Sequence, residues 1–361
     1  MLACVGDVMP AGSAQDALHR ASGGSLSRSL WPGFEDADAV LMNFEAPITD
    51  ASQVHRNKRY SFKCTQKVLE FFDRRFVWGL ANNHIFDYGE RGLLDTIEAL
   101  DARRLPRAGA GRNLNEARRP AILEHEGIGV GVLCAADPRY QSATNTSAGT
   151  FPADPGLLRE SIRELRRSAQ FAVVSIHSGQ EFLPVPSPRQ RQLAELCLEE
   201  GTSVVIFHHA HCISGVQADK RGVVFWGTGN YVFPRGDTPK QYSAWQNSAV
   251  WRVTLNPLRR DVERIAIHPV ILDRDGLPGE PSETRAQETL DRIALYSECL
   301  SRPGRLRWWR LREMMSPIYL WMNLVNYVDI ARRNGVRACL RTLAEGMSAQ
   351  LTAGPSDRLK Q

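Results

Sequence analysis

Asp7, Glu45, Asn83, His177, His209 and His211 are widely separated in the chain, and each comes just after a short apolar run. Carboxylate, amide and imidazole donors without a thiolate suit Mn, Fe or Zn better than Ca, and two such ions together polarise an ester and generate hydroxide. Each residue also has a plainer reading. An Asp after a strand is commonly a turn or cap residue, and Asn82-Asn83 reads equally as a turn. His177 alone reads as a hydrogen-bonded core histidine. The run His208-His209-Ala210-His211 resists that explanation, because three imidazoles directly after a buried strand cost too much desolvation to serve packing. Taken together, the six favour one shared metal or catalytic site.

The elements that would position them follow from the apolar pattern. Leu2–Val5, Ala39–Asn43, Phe76–Leu80, Phe171–Ile176 and Ser203–Phe207 read as strands. Gly92–Arg103 carries Leu93, Ile97 and Leu100 at helical spacing, and Gln66–Arg74 is also expected to be helical. Asp154-Pro155 and Ser187-Pro188 each set a capping side chain before a proline at the first helical position. A β-rich stretch follows, with strands at Ile213–Gln217, Gly222–Trp226, Ser248–Leu255 and Arg264–Ile271. Mixed βα units followed by consecutive strands predict an α/β fold of two packed sheets with helices outside. Ligands in such sheets bind outside the carboxyl ends of strands, where all six residues fall. One domain is expected over residues 1–275, a helical extension over 280–350 and a disordered tail over 351–361.

Bulk composition excludes several classes. The chain is 43% hydrophobic and 24% charged, with net charge +5 and pI about 8.9. That balance is too mild and too dispersed for a nucleic-acid partner. Seven cysteines without CxxC spacing, several of them in apolar runs, point to reduced buried thiols and a cytoplasmic setting. Met1-Leu2-Ala3-Cys4-Val5 leads straight into Gly6-Asp7 without an export-signal pattern, and no apolar run is long enough to span a bilayer. Cytoplasmic residence, at most peripheral to the inner membrane face, is therefore expected.

The order Asp, acid, Asn-His, His, His-x-His at strand ends is similar to that of calcineurin-like metallophosphoesterases. GDVM at 6–9, NFEAPIT at 43–49, LANNHIFDYGERGLLDTIEAL at 80–100, GAGRNLNEARRP at 109–120, HSGQEF at 177–182, HHAH at 208–211 and GNYVF at 229–233 resemble, block for block, the CapA family of poly-γ-glutamate capsule biosynthesis. The resemblance covers about residues 1–270. It implies a four-layer αββα fold with two divalent ions. Asp7 and His211 would hold the first, Asn83, His177 and His209 the second, and Glu45 would bridge. His84 would be the general acid or transition-state stabiliser. Whether His208 or His209 points inward is open; His209 is preferred because His209-x-His211 places both side chains on one face of an extended segment. Two departures stand out. Where the phosphoesterases place a second histidine ligand this sequence has Met9, as CapA relatives generally do, which should weaken the first site; and Phe207 stands where relatives usually carry a glycine, which should narrow the pocket.

Other residues are candidates for substrate. Lys58, Arg59, Tyr60 and Lys63 either grip an anionic chain or form a solvated basic loop. Glu181 is either a partner of the ligands or a base. Gly109-Ala110-Gly111-Arg112-Asn113 makes Arg112 a candidate anion contact, although a turn followed by a helix cap accounts better for the glycines. Residues 302–341 hold nine arginines against Glu313 and Asp329, around an apolar, Trp-containing stretch. A packed helical cap or dimer partner is slightly favoured there over an interfacial membrane helix. The expected activity is metal-dependent hydrolysis of a phosphoester or amide-linked polymer in capsule, exopolysaccharide or poly-γ-glutamate metabolism. The alternative is a non-catalytic assembly or export component that keeps the fold.

Overall fold

The computed structural model describes residues 1–22, 31–55, 60–234, 245–316, Leu320 and Leu324. The elements run β1 (Leu2–Val8), α1 (Ser13–Ser22), β2 (Ala39–Phe44), β3 (Phe76–Gly79), α2 (Gly89–Ala102), β4 (Arg107–Ala108), β5 (Ala110–Gly111), α3 (Leu114–Ala117), β6 (Ala121–His125), β7 (Ile128–Ala136) and β8 (Gly149–Thr150). They continue with α4 (Pro155–Ser168), β9 (Phe171–His177), α5 (Pro188–Glu199), β10 (Val204–His208), β11 (Val216–Asp219), β12 (Gly222–Phe225) and β13 (Asn230–Val232). The last are β14 (Asn247–Asn256), β15 (Asp261–Leu272), β16 (Pro278–Gly279), α6 (Glu283–Leu300) and α7 (Pro303–Met314). The helix expected at 66–74 is a shorter 3-10 segment, Gln66–Phe71.

Two mixed sheets carry the molecule. One runs β16-β15-β14-β1-β2-β3-β4, with β13 added along β1, and the other runs β11-β12-β10-β9-β7-β6. Leu2, Cys4, Leu41 and Val77 of the first sheet meet Val132, Val173, Ile206 and Phe225 of the second in a central apolar layer. On the far side of the first sheet, Leu18 of α1 and Leu93, Ile97 and Leu100 of α2 pack on Val40, Met42 and Trp78. On the far side of the second, Leu158 and Ile162 of α4 and Leu193 of α5 pack on Val174, Val205 and Phe207. The result is the expected four-layer αββα arrangement. The predicted caps are present, with Asp154 accepting from Gly156 and Leu157 amides and Ser187 forming a capping box with Gln190.

Period-2 alternation along the strands aims the site. Ala39 and Leu41 line the central layer, and Asn43 and Glu45 continue that parity; Val173 leads likewise to His177, and Ile206 to His208. β1 breaks the rule. Leu2 and Cys4 face inward, Ala3 and Val5 outward, so regular alternation would turn Asp7 outward too. A register shift between Cys4 and Asp7 in the pairing with β2 resets the phase and brings Asp7 into the crevice. Gly6 sits in this irregular stretch because a Cβ there would lie 2.2 Å from the Gly229 carbonyl oxygen.

The helices past residue 280 pack on this body. Ile293 of α6 reaches the central layer, and Leu300 and Leu306 join the outer layer behind the second sheet. Apart from Leu320 and Leu324, the extension past residue 316 and the tail expected at 351–361 lie outside the described residues.

Candidate metal centre

The carboxyl ends of β1, β2, β9 and β10 converge at one end of the central layer. Asp7 Oδ1 lies 3.1 Å from His208 Nδ1 and accepts from Asn43 Nδ2 at 2.8 Å, while Asp7 Oδ2 lies 3.0 Å from His211 Nδ1. Glu45 Oε1 lies 3.5 Å from His177 Nε2, and the same nitrogen lies 2.8 Å from Asn83 Oδ1. The His177 and His209 rings are 4.8 Å apart. Ligand atoms of Asp7, Glu45 and His211 fall within 4.8 Å of one another, as do those of Glu45, His177 and His209, and those of Glu181, His209 and His211. Glu45, His209 and His211 each belong to two of these groups, and of the three only Glu45 has a second ligand oxygen to share.

Protonation follows from burial and charge. Burial works against the Asp7 carboxylate, but His208 and His211 outweigh it and hold its pKa well below the usual range. Burial and then the Asp7 charge push Glu45 well upward, against a smaller lowering by His211. Burial, with His209 beside it, depresses His177 strongly, and burial brings His209 down to about 4. His211 is the exception: burial would lower it, but Glu45 and Asp7 raise it to about 10. Neutral imidazoles at His177 and His209 are the form that binds metal.

Three buried ligand-type atoms at this site lack a hydrogen-bond partner: Glu45 Oε1, His208 Nε2 and His209 Nδ1. An unsatisfied buried polar atom costs about 1–3 kcal/mol, and three together call for a bound group. A divalent cation fits this donor set of carboxylates and imidazoles. His209 and His211 have φ of +88° and +53°. Such backbone is unfavourable for a side-chain-bearing residue and is found at functional sites.

This geometry corrects part of the sequence reading. His209 and His211 converge through left-handed turns rather than by alternation along an extended segment, and His208 points inward as well, as the last residue of β10. Phe207 does not narrow the pocket: it stacks on Trp226 at 5.2 Å in the layer under α4 and α5. Met9 packs in the apolar layer under α1 and α2. His84 lies beside the cluster with Nδ1 2.8 Å from Asp87, a fully buried carboxylate that also accepts from the Phe62 amide.

The substrate candidates divide. Lys58 and Arg59 lie outside the described residues. Lys63 donates to the Ala51 carbonyl at 2.6 Å and sits over the Tyr88 ring. Arg112 pairs with Glu116 at 2.8 Å, and Asn113 caps α3, so the glycine-rich stretch is a turn and cap rather than a phosphate loop. Four contributors lie outside the expected ligand set. Asn43 links Asp7, Glu45 and His177; Asn82 holds Asn43 and the Phe44 carbonyl; Tyr140 places its hydroxyl 3.0 Å from His209 Nε2; and Asn230 accepts at 2.9 Å from His211 Nδ1. Parity with Glu45 along β2 was the signal that marked Asn43.

Residues 1–235 match the family of bacterial capsule synthesis proteins designated PGA_cap. The chain belongs to that family. It is 30% identical over 246 residues to the PGA biosynthesis protein CapA of Bacillus subtilis, covering 66% of this chain and 65% of that one. Against the capsule biosynthesis protein CapA of Bacillus anthracis identity is 30% over 252 residues, covering 66% and 61%. The chain thus spans somewhat less than two thirds of either relative's length. Among solved structures, a phosphatase of Mycoplasma pneumoniae superposes with a TM-score of 0.46 and 12% identity, over 81% of this chain and 97% of that one. Every strand-end ligand candidate falls within the matched region, whereas β14, β15, α6 and α7 lie beyond it.

Proposed function

We propose that the strand-end cluster is a divalent-metal centre, holding Mn, Fe or Zn, that hydrolyses a phosphoester or an amide-linked anionic polymer in capsule or poly-γ-glutamate metabolism. The observation that carries this reading is the convergence of Glu45, His177 and His209 in one buried group in which Glu45 Oε1 and His209 Nδ1 lack a hydrogen-bond partner. Asp7, Glu45 and His211 would hold one ion, and Glu45, Asn83, His177 and His209 a second. Bound metal supplies polarisation of the scissile bond and a more acidic water. The chain supplies proton handling: Asp87 fixes a proton on His84 Nδ1, which makes Nε2 the nitrogen able to exchange one with a substrate. Glu181, grouped with His209 and His211, would act as a base or orient them.

Metal-loaded protein is expected to cleave members of a panel of phosphoesters and γ-glutamyl oligomers. His84→Asn is expected to lower turnover by about 10²–10⁴ with metal content unchanged. Absence of turnover on both substrate classes by metal-loaded protein would contradict the hydrolase reading.

A second reading follows from Met9, which lies in the apolar layer and leaves the Asp7 ion fewer ligands. In that case the centre binds an anionic polymer without cleaving it, as an assembly component would. Polymer binding that depends on metal but gives no product is its signature.

A further inference from the structure

Helix α7 has two apolar faces, and among the described residues only one of them is covered. Leu306 is buried in the layer behind the second sheet and Trp309 packs against that layer. Arg310, on the same side, donates to the Val185 carbonyl at 3.0 Å and to Gln180 Oε1 at 2.6 Å. These contacts tie the helix to the loop that carries Glu181. On the other side Trp308, Leu311 and Met315, spaced three and four apart, are 59%, 60% and 64% exposed, and Leu320 and Leu324 beyond them are exposed too. A contiguous apolar stripe in water is unfavourable, and solitary exposed leucines do not explain one with helical spacing.

The charge around the stripe says what would cover it. From Arg302 to Ser316 the sequence holds five arginines and a single acid, Glu313. The Arg312 guanidinium sits 4.8 Å from the Trp309 ring and 5.8 Å from that of Trp308, at the edge of the apolar face. An aromatic, aliphatic stripe with Arg312 at its edge, in a net-basic segment, complements a bilayer with anionic headgroups: the apolar side chains enter the acyl boundary and the guanidinium meets phosphate. No described helix is long and apolar enough to cross a membrane, so contact would be parallel to the surface.

We propose that the outer face of α7 docks this protein on an anionic lipid surface. The proposal stands apart from the reaction assigned to the strand-end cluster. Arg310 connects the two, since the helix that meets lipid is bonded to the loop beside the metal ligands.

Sedimentation of the full chain with vesicles tests this. Strong binding is expected to phosphatidylcholine–phosphatidylglycerol vesicles, weakening as salt rises, with little binding to pure phosphatidylcholine. Leu311→Glu is expected to weaken binding by at least about tenfold and Arg312→Glu by less, with circular dichroism unchanged because both side chains lie on the outer surface. No binding to anionic vesicles, equal binding to neutral ones, or undiminished binding by Leu311→Glu would each overturn the proposal. Lipid-independent self-association that Leu311→Glu abolishes would also overturn it, assigning the face to a second copy of the chain.

Discussion

Asn43 joins three charged or titratable groups with one amide: its Nδ2 lies 2.8 Å from Asp7 Oδ1, 3.4 Å from Glu45 Oε2 and 3.1 Å from His177 Nδ1. Its Oδ1 in turn accepts from Asn82, whose own side chain caps the turn at His84 and Ile85. Asn43→Ala would strand the buried Asp7 and Asn82 groups. A loss of about 2 kcal/mol or more in unfolding free energy, read by urea denaturation without metal, is expected. Tyr140 acts on a single candidate ligand, His209. With its hydroxyl at His209 Nε2, it orients the ring and leaves Nδ1 as the atom without a partner. Tyr140→Phe is expected to weaken metal binding by about tenfold while the thermal transition of the metal-free protein moves little, since such supporting contacts tune ligands rather than hold the fold.

At the scale of elements, the β1 irregularity decides whether Asp7 meets the site at all. Gly6→Ala would drive a Cβ into the Gly229 carbonyl and part β1 from β13, where Asp7 pairs with Asn230. Destabilisation by about 3 kcal/mol or more is expected in the same denaturation assay, together with loss of metal binding. The β4–α3 corner offers a pH test. Burial raises the Glu116 pKa, but the Arg112 amide and the Arg107 guanidinium outweigh it and hold it below its ordinary value. A depressed carboxylate stabilises the fold above its unfolded pKa and ceases to as pH falls through the folded one. Glu116→Gln should therefore cost about 1 kcal/mol at neutral pH and progressively less below about pH 4. Strand-end position made Asp7, Glu45 and His177 legible from sequence. Regular parity along β2 and β9 turns Glu45 and His177 inward, whereas at Asp7 a register shift resets the phase. The parity argument failed at His209 and His211, where left-handed backbone replaces alternation. The β6–β7 hairpin was missed because its two-residue turn is Glu126-Gly127, both at positive φ, where Asn-Gly is the usual sign.

Across the whole molecule, the layers and the strand-end location of the ligands could be anticipated because βα units with capped helices admit few arrangements. The contacts between the two sheets could not: they join residues as far apart as Asp7 and His211, and nothing local encodes which side chains of one sheet meet those of the other. The same holds for Arg310, whose contact with Gln180 brings α7, beyond the family-matched region, against a loop of the site. The central claim is that both sheets together build a metal site. Calorimetric titration of Mn²⁺ and Zn²⁺ into metal-stripped protein tests it most directly, with circular dichroism confirming that each variant is folded. The wild-type chain is expected to bind, and His209→Ala and Glu45→Gln to bind at least about tenfold more weakly. A wild-type chain that binds neither ion, or folded variants that match it, would contradict the account.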